Sequence, residues 1–529
     1  MKYINNRYIL ALSIFLMGFG FTSCINDLDV TPINPSVIQT FDQEGVFAKI
    51  YSSLALSGQK GPDGDGDVAG IDEGTSAFVR LTFNLNELTT DEAICSWGDP
   101  GIPEMNFNKW SASHDQVKGL YNRLYFNIDL CNQFLTLTAS KTDAVTLKER
   151  AETRFIRALN YEYLLDMFGN VPFAETVSLV LPKQIKRADL FVWIEKELKE
   201  CEVEMSEPKA GSYYRADKAA NWLLLSRMYL NAEVYTGTAR WADAATYAKK
   251  VIDSGYTLCP SYSQLFMADN SGAKANDVST VNNAPNEIIF AISADGQKTK
   301  TWGTSLFLIA ATHTSGMKAW GTTEGWGGVR ARAALTKKFL PFGIPSGADL
   351  TDLRTAAADD RAMLFAEERT VEIASSTIFK QGLSVAKYSN IRADGKSTND
   401  IKFTDTDVPL LRKAEAYLTY AEAVTRGAAT IGGYSALDAV NALRVRSHAT
   451  PVSTVTKESL LDEWSREFYF EGRRRIDLIR FGSYGGSDYT WDWKGGSASG
   501  SKFASFYNIF PIPASDLLVN PNLTQNTGY

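Results

Sequence analysis

The apolar positions of this chain fall mostly at helical spacing, and their densest run is residues 149–172, ERAETRFIRALNYEYLLDMFGNVP. Phe155, Ile156, Ala158, Leu159, Tyr161, Tyr163, Leu164, Leu165, Met167 and Phe168 follow no strand alternation. Together they wrap most of the way round a helix of 3.6 residues per turn. A helix so apolar must be covered on more than one side, which predicts an interior layer of stacked helices. Gly169 is placed for a left-handed cap, and Pro172 cannot continue the helix. Residues 41–56, 117–137 and 190–204 also read as helices. Residues 219–254 predict a helical hairpin broken at Gly237, with Leu224, Tyr229 and Ala232 on one arm and Ala244, Ala248 and Val251 on the other. A second hairpin follows far downstream: Leu411, Ala414, Tyr417, Leu418 and Ala421, then Ala436, Ala439, Val440 and Leu443. Between the hairpins, residues 257–408 are poor in long helical patterns and rich in Gly, Ser, Thr, Asn and Asp. Irregular segments of that length, when ordered, usually carry function.

The small residues Ala244, Ala248 and Val251 resemble the second helix of a tetratricopeptide repeat, in which small side chains let neighbouring helices approach closely. Neither hairpin fits the full repeat consensus, so both are read as degenerate copies forming a scaffold. With 529 residues, 44% hydrophobic and 22% charged, the chain can bury a large core. Its net charge of −7, with no basic run, argues against nucleic acid as a partner. The N-terminus is different: Lys2 and Arg7 precede an apolar run over residues 8–21, too short to span a bilayer and typical of a signal peptide. Thr22 and Ser23 then lead into Cys24. Small residues directly before cysteine resemble a bacterial lipobox, although Phe21 stands where Leu is usual. Cleavage there would make residues 1–23 a signal peptide and Cys24 the lipidated residue, and two or more acyl chains suffice for a stable membrane tether. Cys95, Cys131, Cys201 and Cys259 show no metal-type spacing and are expected as free buried thiols. His114, His313 and His448 are too scattered for a zinc site.

The candidate chemistry lies in loops. Residues 58–74 form a glycine-rich acidic stretch in which Asp63, Asp65 and Asp67 alternate. Such spacing can converge carboxylates on calcium, but Val68 and Gly74 stand where an EF-hand loop has Gly and Glu, so a solvated loop is the preferred reading. No other cofactor is expected. Trp302, Trp320 and Trp326 sit in glycine-flanked loops that offer little helix or strand to pack into, which predicts partial exposure. An exposed indole offers a π face to the C–H surface of a sugar, while neighbouring Asp, Asn and Arg can bond its hydroxyls. Glu467 and Glu471, four apart on one helix face, are the paired carboxylates a glycoside hydrolase would need. They lie beside Arg466 and residues 473–475, all arginine, so a salt-bridged structural helix is the preferred reading. A repeat-type adaptor that binds only proteins is the third possibility.

Several stretches together resemble the SusD/RagB family of bacterial outer-membrane nutrient-binding lipoproteins. They are Thr-Thr-Asp-Glu-Ala at residues 89–93, RFIRALNYEYLLDMFGNVP at 154–172, REFYFEGRRRIDLIRF at 466–481, Phe-Pro-Ile-Pro at 510–513 and NPNLTQNTGY at 520–529. Thr527 stands where the family usually has Pro, and Asp516 where Glu is common. The resemblance runs from Cys24 to the end of the sequence and implies a mainly α fold, with repeat-type hairpins as scaffold and long irregular ligand-binding loops. Residues 24–256 would form an N-terminal part and residues 257–529 a C-terminal part, with 257–408 as its loop-rich insertion, in one compact unit. It further implies a cell-surface, outer-membrane protein without enzymatic activity that captures glycans and passes them to a SusC-like TonB-dependent transporter. Trp97 follows the 89–93 stretch as a binding aromatic does in relatives. Trp320 and Trp326 lie in the corresponding later region, and Trp302, Asp99 and Arg330 are lesser candidates.

Overall fold

Helices dominate the structure, a computed structural model that describes residues 41–274, 277–278 and 281–529. The N-terminal apolar run and Cys24 lie outside the described residues. The long helices of the first part are α1 (Gln43–Ala55), α2 (Asp115–Leu137), α3 (Ala144–Met167) and α4 (Arg187–Cys201). The densest apolar run falls in α3. Asp143 caps its start by accepting from the Thr146 amide, and Gly169, at φ +72°, ends it with its amide on the Leu164 carbonyl at 3.1 Å. Of the apolar positions read from the sequence, Tyr163 alone keeps partial exposure; the rest are buried. The helix is covered as expected, by α2 on one side and α4 on the other. It also buries charge: Arg157 pairs with Glu197 of α4 at 2.8 Å and donates to Asn132 of α2 at 2.7 Å. Those polar contacts fix which helices sit beside it.

The first hairpin is α5 (Lys218–Leu230) and α6 (Trp241–Ile252), with Gly237 at φ +76° in the break. Residues 257–408 hold only short helices, among them α7 (Ser305–Ala310). The second hairpin is α8 (Lys413–Thr425) and α9 (Ala436–Arg446). Helix α6 packs against both α5 and α8, so the two hairpins form one layer across the intervening loops. Buried Ala244, Ala248, Ala414 and Ala421 permit that close approach. Leu411 is the exception to the sequence reading, because it does not begin the helix. The strands longer than two residues are β1 (Ala93–Cys95), β2 (Ile288–Ile292), β3 (Val329–Ala331) and β4 (Val408–Arg412) among the described residues, and Leu411 lies in β4, paired antiparallel with β2. The run Val-Pro-Leu-Leu is continuously apolar and suits a strand buried on both faces better than an amphipathic helix.

Two later helices, α10 (Lys457–Phe468) and α11 (Arg474–Arg480), carry a buried ionic core. Glu467 is fully buried and meets Arg412 at 2.6 Å, Arg361 at 3.2 Å and also Arg446. Burial alone would raise its carboxyl, but the arginines Arg446, Arg412 and Arg361 hold it well below the usual carboxylate range. Glu471 is bound by Lys387 and Arg412, each at 2.7 Å. Two buried carboxylates locked by cations have no free oxygen lying against a substrate, so this pair is not a hydrolytic site. The same helices bind the rest of the fold: Arg474 meets Asp91 at 2.8 Å, Arg475 meets Asp166 at 2.8 Å and Arg480 meets Glu422 at 2.7 Å. Cys95, Cys131, Cys201 and Cys259 are free and buried, with burial pushing each thiol up to about 12.

Candidate functional site

Three of the loop tryptophans come together, and the strand pairing shows how. Strands β1 and β3 run antiparallel with Cys95 opposite Val329 and Ala93 opposite Ala331. The Ser96 amide extends the ladder to the Gly328 carbonyl at 3.0 Å. Trp97 therefore leaves the end of β1 just where Trp326 approaches β3. Their rings lie 6.4 Å apart between centroids, inclined at 54°. Trp302 continues the line, 6.2 Å from Trp326 and inclined at 50°. The base beneath is α7: the Trp326 amide donates to the Ala310 carbonyl at 2.7 Å, and Phe307 lies 6.4 Å from Trp97. Leu306, Ala310 and Phe403 are buried under Trp302 and Trp326. All three tryptophans are half-buried.

The glycines around these rings have a role different from loop flexibility. A Cβ on Gly328 would stand 2.2 Å from Cε2 of Trp97, and one on Gly74 would stand 2.6 Å from Cβ of Trp302. The Trp97 ring lies directly on the Gly328 backbone, and Gly74 leaves room for the Cβ of Trp302, so the absence of a side chain at these two positions sets where the residues sit. Hydrogen bonds also fix the rings. Trp326 donates to the Glu324 carboxylate at 2.9 Å and Trp302 donates to the Pro62 carbonyl at 3.2 Å. The backbone amide of Trp302 reaches Glu73 at 3.3 Å, and Thr301 donates to Glu73 at 2.8 Å.

The other sequence candidates have different surroundings. Trp320 is apart from the arc: it stacks at 5.1 Å on His313, an imidazole that burial pushes down to about 4, and lines a separate cavity of about 180 Å³. Its indole donates to the Glu324 carbonyl at 2.7 Å, so it braces the residue that holds Trp326. Arg330 is fully buried opposite Ile94, not at a surface. Its guanidinium donates to the carbonyls of Gln381 and Ser376 at 2.7 Å and Gly328 at 3.2 Å, and burial pulls it down to about 10. Asp99 is exposed at the end of the Trp97 loop. The calcium reading of Asp63, Asp65 and Asp67 does not hold. Asp67 is paired with Lys49 at 2.7 Å and Arg123 at 3.3 Å, and among the described residues no three His, Cys, Asp or Glu side chains are grouped to hold a metal ion.

Sequence reasoning missed Arg80. Its guanidinium lies over Trp97 at 5.6 Å and Phe307 at 5.1 Å, and its Nε has no hydrogen-bond partner among the described residues. Burial lowers its pKa from the ordinary arginine value, while Asp72, Asp99 and Glu73 favour the charged form. The signal was present in the sequence as a single cation inside the apolar run 77–83. Lys402, 4.4 Å over the Trp302 ring, was likewise unmarked. The result is a curved row of three indoles with an arginine at one end and a lysine at the other. Such a row can stack successive C–H faces of a chain of rings while cationic donors reach hydroxyl groups.

Comparison with known proteins assigns the family. The SusD family model matches residues 366–529. The starch-binding protein SusD of Bacteroides thetaiotaomicron is 46% identical over 561 aligned residues, covering 100% of this chain and 99% of that protein. The chain belongs to the SusD family. Among solved structures, surface glycan-binding protein A from Bacteroides fluxus superposes with a TM-score of 0.69 at 20% identity, over 92% of this chain and 99% of that one. Surface glycan-binding protein A from Bacteroides thetaiotaomicron, in complex with laminarihexaose, superposes with a TM-score of 0.68 at 19% identity, over 92% and 98%. These two likenesses establish the shared fold.

Proposed function

We propose that this protein captures an α-glucan of the starch type on the aromatic arc and presents it for uptake. The observation that carries the reading is the inclination of 54° and then 50° between successive indoles. A flat, ribbon-like glycan offers nearly coplanar faces and would lie well on only one of the three rings. A chain that curves can meet all three. The 46% identity to a starch-binding protein supports the same ligand class. Binding without hydrolysis fits the engagement of Glu467 by Arg412 and of Glu471 by Lys387.

In this reading the protein is tethered to the outer membrane through a lipid on Cys24, faces the cell exterior and hands its ligand to a SusC-like TonB-dependent transporter. No helix among the described residues is long and apolar enough to cross a membrane. Calorimetry with maltoheptaose, laminarihexaose and cellohexaose tests the ligand class. Saturable binding of maltoheptaose, with no shorter saccharide released, is the expected result. Preference for cellohexaose would overturn it. Cys24→Ala should move the protein from the membrane fraction to the soluble one, and retention at the membrane would count against the tether. Co-purification with a SusC-like barrel tests the partner.

A further inference from the structure

The arc does not stop at Trp302. Trp302 and Phe403, whose rings lie 5.2 Å apart, also wall a groove of about 450 Å³. That is within the range of about 300–1,000 Å³ typical of ligand sites. Lys60, Lys298, Lys300 and Lys402 line it, with Asp63 as the one carboxylate on its wall. We propose that this groove is an anion-accepting subsite, which takes a phosphate ester or carboxylate carried on the bound glycan. The inference rests on the reading that the arc holds a glycan.

The four lysines come from three segments of the chain that meet only in the fold. Lys402 lies over Trp302 at 4.4 Å and Lys300 over Phe403 at 5.5 Å, so two ammonium groups sit on the rings that border the arc. Lys300 meets Asp400 at 3.3 Å and Lys402 meets Glu324 at the longer distance of 3.7 Å. Lys60 and Lys298 are exposed, and among the described residues neither has an ion-pair partner. The residues that line the groove themselves carry four lysines against one carboxylate, Asp63, in a chain whose net charge is −7.

The lysine-bearing loops are held in place. The amides of Gln297 and Lys298 both donate to Asp295, at 2.9 and 3.0 Å, and the Gln297 side chain donates to the Asn399 carbonyl at 3.1 Å. Like charges brought together on tied loops repel one another. An anion relieves that repulsion and accepts charge-assisted hydrogen bonds that a neutral hydroxyl cannot match.

Calorimetry on the full chain with three probes tests this: maltoheptaose, maltoheptaose bearing a phosphate ester, and hexagalacturonate. The phosphate ester should bind roughly 3- to 10-fold more tightly than maltoheptaose at low salt, as expected for exposed charge pairs. The Lys60→Ala/Lys298→Ala double variant should abolish the gain and leave maltoheptaose affinity unchanged, which also shows that the variant is folded. Hexagalacturonate binding that is lost in the double variant would support the subsite and extend it to carboxylates; its absence alongside a phosphate gain would support the subsite as selective for phosphate esters. Equal affinity for maltoheptaose and its phosphate ester overturns the subsite and leaves the arc standing. Binding of the phosphate ester without maltoheptaose overturns the arc and keeps the groove, and binding of none of the three overturns both.

Discussion

The aromatic arc and the ionic core are each assembled from residues far apart in the chain, but they use opposite chemistry at opposite depths. In the arc, Trp97, Trp326 and Trp302 are half-buried, and the Trp97 ring lies on the Gly328 backbone. In the core, Glu467, Arg361, Arg412 and Arg446 are buried and meet one another through charge-assisted hydrogen bonds. Of the stretches that mark the family, 89–93, 154–172 and 466–481 contribute charges to the second region. Asp91 and Glu92 of the 89–93 stretch meet Arg474 at 2.8 and 3.3 Å. The recognisable sequence is thus the part that holds the molecule together. The part proposed to meet a ligand is a few rings on loops.

That contrast can be broken first on the core side. Glu467→Ala strips three buried arginines of their shared partner, and removing one member of a buried pair costs about 3–5 kcal/mol. Urea unfolding should show that loss, while whatever protein remains folded binds glycan normally. An unchanged midpoint would mean the network contributes nothing to stability. On the arc side, Trp326→Ala should cost about 1–3 kcal/mol of glycan affinity, by analogy with aromatic stacking on other ring ligands. Its unfolding midpoint should move less than that of Glu467→Ala, and calorimetry beside urea unfolding compares the two.

Gly328→Ala makes a finer cut. The added Cβ meets the Trp97 ring and should push it off line, at about 1 kcal/mol of affinity, the lower end of what loss of one stacking ring costs. Affinity equal to that of the unsubstituted protein would show that the depth of Trp97 does not matter.

Acid sharpens the comparison with the smallest expected effect on binding. Burial alone would raise the Glu415 carboxyl, but Arg227 and Arg473 pull it down to about 2. The unfolded value is about 4.3. Because the folded value is the lower one, its contribution is complete above about pH 5 and is lost as pH falls towards 2. The arc contains no carboxylate or imidazole that stacks on a ligand. Glycan affinity should therefore stay flat between about pH 5 and pH 8, and a titration by calorimetry across that range would reveal any dependence.

Residues 149–172 determined their own helix, their cap at Gly169 and their burial, because a continuous apolar surface has one low-energy solution, to be covered on all sides. Glycine-flanked tryptophans between two helical hairpins likewise marked the region of the candidate site. Which tryptophans act together was not legible there. Trp97 and Trp326 are neighbours only because β1 pairs with β3 in one register, and Trp320, six residues before Trp326, turns instead onto buried His313. Arg330 looked like a loop cation and is a buried brace, while Arg80, which the sequence did not single out, lies over Trp97. Local pattern determines whether a segment is helix, strand or loop. The direction a side chain faces depends on strand register and on which distant surface covers it, and those only the tertiary structure decided.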